Sequence, residues 1–470
     1  MRHYYSADAI RNAEAPLLAS LPEGGLMRRA AYGLAVAIAR ELGTVAGRRV
    51  CAVVGSGDNG GDALWAATFL RRRGAAVTAV LLNPDRAHAG GLAAFRAAGG
   101  RIVETVPQAT DLVIDGVVGI SASGSWRPGA AELFVDVDDR RIPVVSVDLP
   151  SGLDVQTGAA DGPHVTATLT VTFGGLKPVH ALGECGRVEL VDIGLDLPES
   201  DVRALDAADV EARWPMSGAH DDKYTQGVTG VMAGSATYPG AAILCTGAAV
   251  AATSGMVRYA GTAAAEVVSH WPEVIATSSV GAAGRVQAWV VGPGLGTDEA
   301  GAAALSFALS TDLPVIVDAD GLTILAAHPD LVSGRSAPTV LTPHAGEFAR
   351  LAGHPPGDDR AAATRRLADA FGATVLLKGR VTVIAEPGGG TVHVNDAGQS
   401  WAATAGSGDV LSGMGGALLA SGLPPGEAAA SAAFVHARAA GIAAADPGPA
   451  SAPVSASRIL DHVRASIAAL

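Results

Sequence analysis

The sequence predicts an α/β protein built as two successive α/β domains. Three observations predict this. The chain has 470 residues, more than one ordinary hydrophobic core holds. Short apolar runs alternate with helix-like stretches through both halves, the pattern of parallel strands covered on both faces. Glycine counts 60 with no collagen-like period, so tight turns and close backbone approaches recur.

The elements follow in order. RRVCAVVG (48–55) reads as a strand and DALWAATFLRRRG (62–74) as the helix after it. AVTAVLL (76–82), DLVIDGVV (111–118) and PVVSVDL (143–149) are further buried-strand candidates, and ATLTVTF (167–173) and GRVELVDI (186–193) extend the series. From 198 to 222 the pattern lapses into Pro- and Asp-rich sequence. The expected division is therefore a first domain over 1–205, a linker over 206–222 and a second domain over 223–470. The second half resumes with GVTGVMAGS (227–235), AWVVGPGLG (288–296), PVIVDADGL (314–322) and TVLTPHAGE (339–347). Residues 374–396 read as a strand followed by a hairpin around Pro387–Gly390. Three helix-like stretches close the chain, and no short-period repeat suggests a solenoid.

Composition narrows the function. The formal net charge of −13, from 46 acidic against 33 basic residues, argues against a nucleic-acid partner. Cys51, Cys185 and Cys245 lack metal spacing and read as small buried residues in a reducing compartment. The N-terminal MRHYYSADAIRNAE has no apolar core, and the apolar stretch 239–257 is broken by Gly, Thr, Ser and Cys. The expectation is a cytoplasmic protein with no membrane partner, a homo-oligomer being left open.

VGSGDNGGDALWAA (54–67) lies where a strand passes into a helix, the place at which open α/β sheets bind ligands. Glycines at 55, 57, 60 and 61 would let backbone amides approach a phosphate, or they make a tight turn only. Two later strands end in Asp115 and in Asp148 with Ser151. Strand ends of a parallel sheet converge on one edge, so Asn59, Asp115, Asp148 and Ser151 could meet. Oxygen groups of this kind suit a hard cation, and the plainer alternative is that each carboxylate caps a nearby amide.

GSGDNGGD, DLVIDGVVG and VDLPSGLDVQTG resemble the motifs of NAD(P)H-hydrate epimerases over roughly residues 1–205. The resemblance implies a Rossmann-like α/β/α domain. It implies that Asn59, Asp115 and Ser151 hold a potassium ion. Asp58, Asn59, Gly60, Gly61 and Asp62, with Gly119, Ile120, Ser121, Ala122, Ser123, Gly124, Ser125 and Asp148, would hold the hydrated nicotinamide nucleotide, and Asp115 is a catalytic candidate. Asp58 departs from the usual Asn of that family and Ala63 from its usual Gly.

TAGSGDVLSG (404–413) is the second glycine-rich turn entering a helix. Its amides can form an anion hole, with Asp409 placed to take a proton from a hydroxyl attacking a phosphoryl group. Asp409 could instead be a simple helix cap. TPHAGE supplies His344 and Glu347, and LLKGRVTVI supplies Lys378.

KYTQGVTGVMAGSATYPGAAIL, VGPGLG, TPHAGEFARL, LLKG and AGSGDVLSGM resemble the ribokinase-like ADP-dependent (S)-NAD(P)H-hydrate dehydratases, from about Lys223 to the C-terminus. By that resemblance Ala242, Gly294, His344 and Asp409 face the hydrate. Lys378, Gly379, Arg380, Val381, Thr382 and Gly408 face the adenine nucleotide, ADP accompanied by Mg2+, and Asp409 is the catalytic base. The two resemblances imply one repair sequence acting on hydrated NADH and NADPH (NADHX and NADPHX). The first domain interconverts the R and S epimers, and the second dehydrates the S epimer at the expense of ADP. The alternatives are a plain small-molecule kinase joined to a non-catalytic binding module.

Overall fold

The computed structural model describes residues 1–118, 128–253 and 255–470. The chain forms two compact units: His3–Ser200, and Asp201–Leu470 together with Met1–Arg2. Residues 206–222, read above as a linker, contain the helix Ala207–Arg213, started by an Asp206–Asp209 capping box. Val210 and Trp214 from this stretch are buried in the core of the second unit.

In the first unit seven parallel strands are ordered Arg101–Val103, Ala76–Leu81, Arg49–Val54, Leu112–Gly116, Val144–Val147, Leu169–Phe173 and Arg187–Val191. The period-2 alternation of a strand explains why both faces are covered. Val50, Ala52 and Val54 pack with Leu34, Leu64 and Ala67 of the helices Gly25–Leu42 and Asp58–Arg72. Cys51 and Val53 point the other way, towards Phe134 and Val137 of the helix Pro128–Asp139. Fully burying each large apolar side chain contributes about 1.5–3 kcal/mol before entropy is counted. The chain order reverses beside Arg49–Val54, with Ala76–Leu81 on one side and Leu112–Gly116 on the other. That reversal is the point at which such sheets open a ligand crevice.

The second unit repeats the logic with a longer sheet. Its strands run Val202–Ala204, Val392–Asp396, Val381–Ala385, Thr374–Leu377, Thr339–Leu341, Val315–Val317, Ala288–Val291, Val228–Met232, Met256–Ala260 and Ile275–Thr277. The expected hairpin is present: Val381–Ala385 and Val392–Asp396 pair antiparallel. Thr374–Leu377 also pairs antiparallel with Val381–Ala385, so Lys378, Gly379 and Arg380 form a tight turn. The order reverses between Val228–Met232 and Ala288–Val291. The helices Ser407–Ala420, Pro425–Ala445 and Ala456–Ala468 close the chain. Pro425–Ala445 is the one helix among the described residues long and apolar enough to cross a membrane, and two-thirds of it is buried in the protein. All three cysteines are buried, and none is in a disulfide.

Candidate functional site

In the first unit Asp115 and Ser151 meet, and Asn59 reaches the carbonyls of Val118 and Val147. Asp115 ends its strand 1% exposed and accepts four hydrogen bonds. These come from Ser151 Oγ at 2.6 Å, Ser151 N and Ser146 Oγ at 2.9 Å, and Val117 N at 3.3 Å. Burial pushes its pKa up, and the Ser151 and Ser146 bonds oppose that push. Ser151 Oγ also accepts from Val118 N at 3.1 Å. Asn59 joins the ring by donating from Nδ2 to the carbonyls of Val147 (2.6 Å) and Val118 (2.8 Å). The glycines around it chiefly permit packing. A Cβ on Gly55 would lie 2.0 Å from Val117 O, and one on Gly60 would lie 2.4 Å from Gly55 O.

Asp148 is held differently. Its backbone is left-handed, φ +68°, a strained conformation for a non-glycine residue of the kind that clusters at active sites. Oδ1 accepts from Lys177 Nζ at 2.5 Å and Thr172 Oγ1 at 2.8 Å. Lys177 is 1% exposed. His180 Nδ1 accepts from Lys177 N at 2.8 Å, so its Nε2–H donates to Asp148 O at 2.7 Å. Burial, aided by the Lys177 charge, lowers the His180 pKa to about 4, so the ring is neutral. Burial works against the charge of Asp148, but Lys177 and the hydrogen bonds win and its pKa is lowered. Lys177, Thr172 and His180 escaped the sequence reading. The available signal was a lysine four residues after a strand-like run, in TVTFGGLKPVH. Asp58 is exposed at the start of its helix, while Gly60, Gly61 and Asp62 are buried within it. Gly119, Ile120, Ser121, Ala122, Ser123, Gly124 and Ser125 lie outside the described residues.

The second unit has a cavity of about 550 Å3 at the carboxyl ends of its parallel strands. It is lined by His344, Lys378, Gly379, Arg380, Thr382, Gly408 and Asp409, and also by Asp318, Glu347, Trp401 and His436. Gly406, φ +86°, is the N-cap of the helix Ser407–Ala420 and makes no side-chain cap bond. Asp409 is thus inside the first turn and is not the cap. Burial raises its pKa to about 7, the Asp318 charge adding and Lys378 opposing.

Lys378 Nζ lies 2.7 Å from Asp318 Oδ1 and 3.6 Å from Glu347 Oε2. Burial works against the ammonium, yet the carboxylates of Asp318 and Glu347 hold its pKa above the usual value. A Cβ on Gly408 would lie 3.3 Å from Nζ, so the missing side chain lets the ammonium reach the helix N-terminus. Asp318 is 1% exposed, with Oδ2 accepting from Ser412 Oγ at 2.7 Å. Ala319 after it is left-handed at φ +49°. Asp318 was missed although it ends a strand as Asp115 does, and Ser412 and His436 gave no sequence signal.

His344 caps the helix Ala345–Ala352. Its Nδ1 accepts from Gly346 N (2.9 Å) and Glu347 N (3.2 Å), and Glu347 Oε2 accepts from His344 N at 2.8 Å. Ala242 and Gly294 do not line the cavity. Ala242 is buried on the helix Pro239–Ala252, and a Cβ on Gly294 would lie 2.7 Å from Ala241 Cβ. That helix packs on the Asp409 helix, where a Cβ on Gly413 would lie 2.1 Å from Cys245 O. Val381 is buried in its strand, and its carbonyl accepts from Arg360 Nη2 at 3.4 Å.

Known proteins place both units. Residues 23–179 match a family model described as YjeF-related protein N-terminus, and residues 229–462 one described as NAD(P)H-hydrate dehydratase. The bifunctional NAD(P)H-hydrate repair enzyme of Mycobacterium tuberculosis is 77% identical, with 100% of both chains covered. That of Mycobacterium leprae is 74% identical at the same coverage. That of Corynebacterium glutamicum is 38% identical over 100% of this chain and 99% of its own. A ribokinase-like superfamily protein from Enterococcus faecalis, 22% identical, shares the fold of 58% of this chain and 98% of its own, with a TM-score of 0.52. The chain therefore belongs to the family of bifunctional NAD(P)H-hydrate repair enzymes.

Proposed function

We propose that the first unit epimerises hydrated NADH and NADPH and that the second dehydrates the S epimer with ADP, giving the reduced nucleotide, AMP and phosphate. One observation supports the second role above others. A single cavity brings together a helix N-terminus, the Lys378 ammonium and a carboxyl with a pKa of about 7. A base poised near neutrality suits removal of a proton from a hydroxyl. Asp409 takes the proton of the hydrate hydroxyl as its oxygen attacks the terminal phosphoryl group of ADP. The amides at Gly408 and the Lys378 ammonium offset the phosphate charge. Phosphate then leaves where hydroxide would not, and the ring double bond returns. Magnesium would enter with the nucleotide and spread the phosphate charge, with Asp318 and Glu347 the carboxylates on the cavity wall to meet it.

In the first unit the oxygens of Asn59, Asp115 and Ser151, with the Val118 and Val147 carbonyls, make an all-oxygen set carrying one carboxylate. That set fits a monovalent cation such as potassium better than a divalent one. Asp115, fully hydrogen-bonded, serves to hold. A place in the cytoplasm agrees with three buried cysteines outside any disulfide.

The test supplies mixed R and S hydrates with ADP and magnesium and follows the absorbance of the reduced nicotinamide. Complete recovery of both epimers, with stoichiometric AMP and phosphate, is expected. A stable phosphorylated product that accumulates would show a plain kinase instead.

A further inference from the structure

Arg360 opens the helix Arg360–Phe371, whose N-cap is Asp359. A cation in the first turn of a helix meets the positive end of the helix dipole, so this placement needs a compensating contact. Among the described residues no carboxylate forms an ion pair with the guanidinium, which is half-buried. Its partners are backbone carbonyls of the turn after the strand Thr374–Leu377. Nη2 donates to Lys378 O at 3.2 Å and to Val381 O at 3.4 Å. One charged group thus holds both ends of the turn.

The rest of the turn is tied as well. Gly379 O accepts from Thr382 Oγ1 at 3.3 Å, Arg380 O accepts from Ala397 N at 3.0 Å, and Lys378 N donates to Pro343 O at 2.8 Å. Every carbonyl from Lys378 to Val381 has a donor, and two of them depend on Arg360. Gly379 permits this, because a Cβ there would lie 2.8 Å from Arg360 Nη2 and would push the guanidinium off the turn. In a planar trans peptide the C=O and the next N–H point in opposite directions. Holding Lys378 O on the Arg360 side therefore turns the Gly379 N–H to the other side. Lys378, Gly379, Arg380 and Thr382 line the cavity and Arg360 does not, so Arg360 grips the turn from outside the cavity.

We propose that Arg360 is a positioning residue for the nucleotide, fixing the turn from Lys378 to Val381 in the shape that receives ADP. Its positive charge, which no carboxylate offsets, adds to the attraction for that anion. This rests on the nucleotide-binding reading of the cavity. The Lys378 ammonium is held separately by Asp318, and Asp409 stands on another helix. Loosening the turn therefore falls on ADP binding and leaves the proton transfer in place.

The test is Arg360→Gln in the full chain, with Arg360→Lys beside it, since Lys keeps the charge but loses the planar fork. KM for ADP in S-hydrate dehydration, and Kd of ADP alone by calorimetry, should both rise about tenfold in Arg360→Gln and less in Arg360→Lys. The values of kcat and of KM for S-hydrate should stay within about threefold of the wild type. A residue that only ties the helix to the hairpin would lower the melting temperature and leave both ADP constants unchanged, and that result would overturn the proposal. A fall in kcat with KM for ADP unchanged would overturn it too. Should Arg360→Gln not fold, Arg360→Lys decides by the same two constants: a rise supports the proposal, and unchanged values overturn it. A wild-type chain that neither binds ADP nor needs it for dehydration would instead remove the nucleotide-binding reading beneath it.

Discussion

Asp115 and Asp409 lie at equivalent places in their units, where the carboxyl ends of parallel strands meet helix N-termini, yet they are held in opposite ways. Asp115 accepts four hydrogen bonds. Asp409 lines an open cavity, and its pKa is raised to about 7 by burial and by Asp318. The difference separates a carboxylate that fixes a structure from one that exchanges a proton. Donors around a buried acid oppose the rise in pKa that burial causes, whereas a second acid beside it adds to that rise.

Removing the holding carboxylate should have the largest effect. Asp115→Ala leaves the donors of Ser151, Ser146 and Val117 buried without an acceptor. Epimerisation should stop, and the first unit should lose about 3 kcal/mol, a fall of roughly 6–12 °C in its melting temperature. Repair of S-hydrate should continue, so a mixed hydrate would be consumed down to its R fraction apart from slow spontaneous epimerisation. Equal loss of both activities in a folded chain would mean one shared site.

The next effect belongs to the cation that tempers Asp409. Lys378→Met removes the partner of buried Asp318 and the charge that lowers the Asp409 pKa. KM for ADP should rise roughly 10–100-fold, worth about 1.4–2.7 kcal/mol. The pH at which the base ionises should move upward. An unchanged KM would take Lys378 out of nucleotide binding.

A smaller effect probes the turn itself. Gly406→Ala puts a Cβ at φ +86° and 2.7 Å from Leu244 Cδ1. A stability loss of about 1–2 kcal/mol and a roughly tenfold fall in dehydration rate are expected, as the first turn carrying Asp409 shifts. Thermal melting and steady-state kinetics of this variant check both.

Much of this was legible in the sequence, for physical reasons. Fully buried parallel strands are unbroken apolar runs, so Arg49–Val54, Leu112–Gly116, Ala288–Val291 and Val315–Val317 stood out. Arg101–Val103 did not, because it is a three-residue edge strand with two exposed positions. Met256–Ala260 was hidden by the apolar helix before it, Pro239–Ala252. Val202–Ala204 sat inside the stretch whose composition suggested a boundary. Among site residues, Asp115, Asp148 and Asp409 announced themselves at strand-to-helix turns. Lys177 and Asp318 are defined by ion pairs to partners 29 and 60 residues away, and no local pattern carries such a pairing.

The central claim is that Asp409 is a base because burial beside Asp318 raises its pKa. The direct measurement is kcat/KM for S-hydrate dehydration as a function of pH, in the wild type and in Asp409→Asn, since this ratio reports groups of the free enzyme. The wild type should lose rate as pH falls through about 7. The variant should lack that limb and run about 10²–10⁴-fold slower in kcat with KM little changed. The sign for stability is also fixed. The folded pKa lies above the unfolded one, so ionised Asp409 opposes folding increasingly as pH rises from the unfolded value to about 7, and fully above it. Asp409→Asn should therefore melt no lower than the wild type at pH 8. A variant that turns over near the wild-type rate, or a wild-type profile flat from pH 5 to 9, would contradict the account.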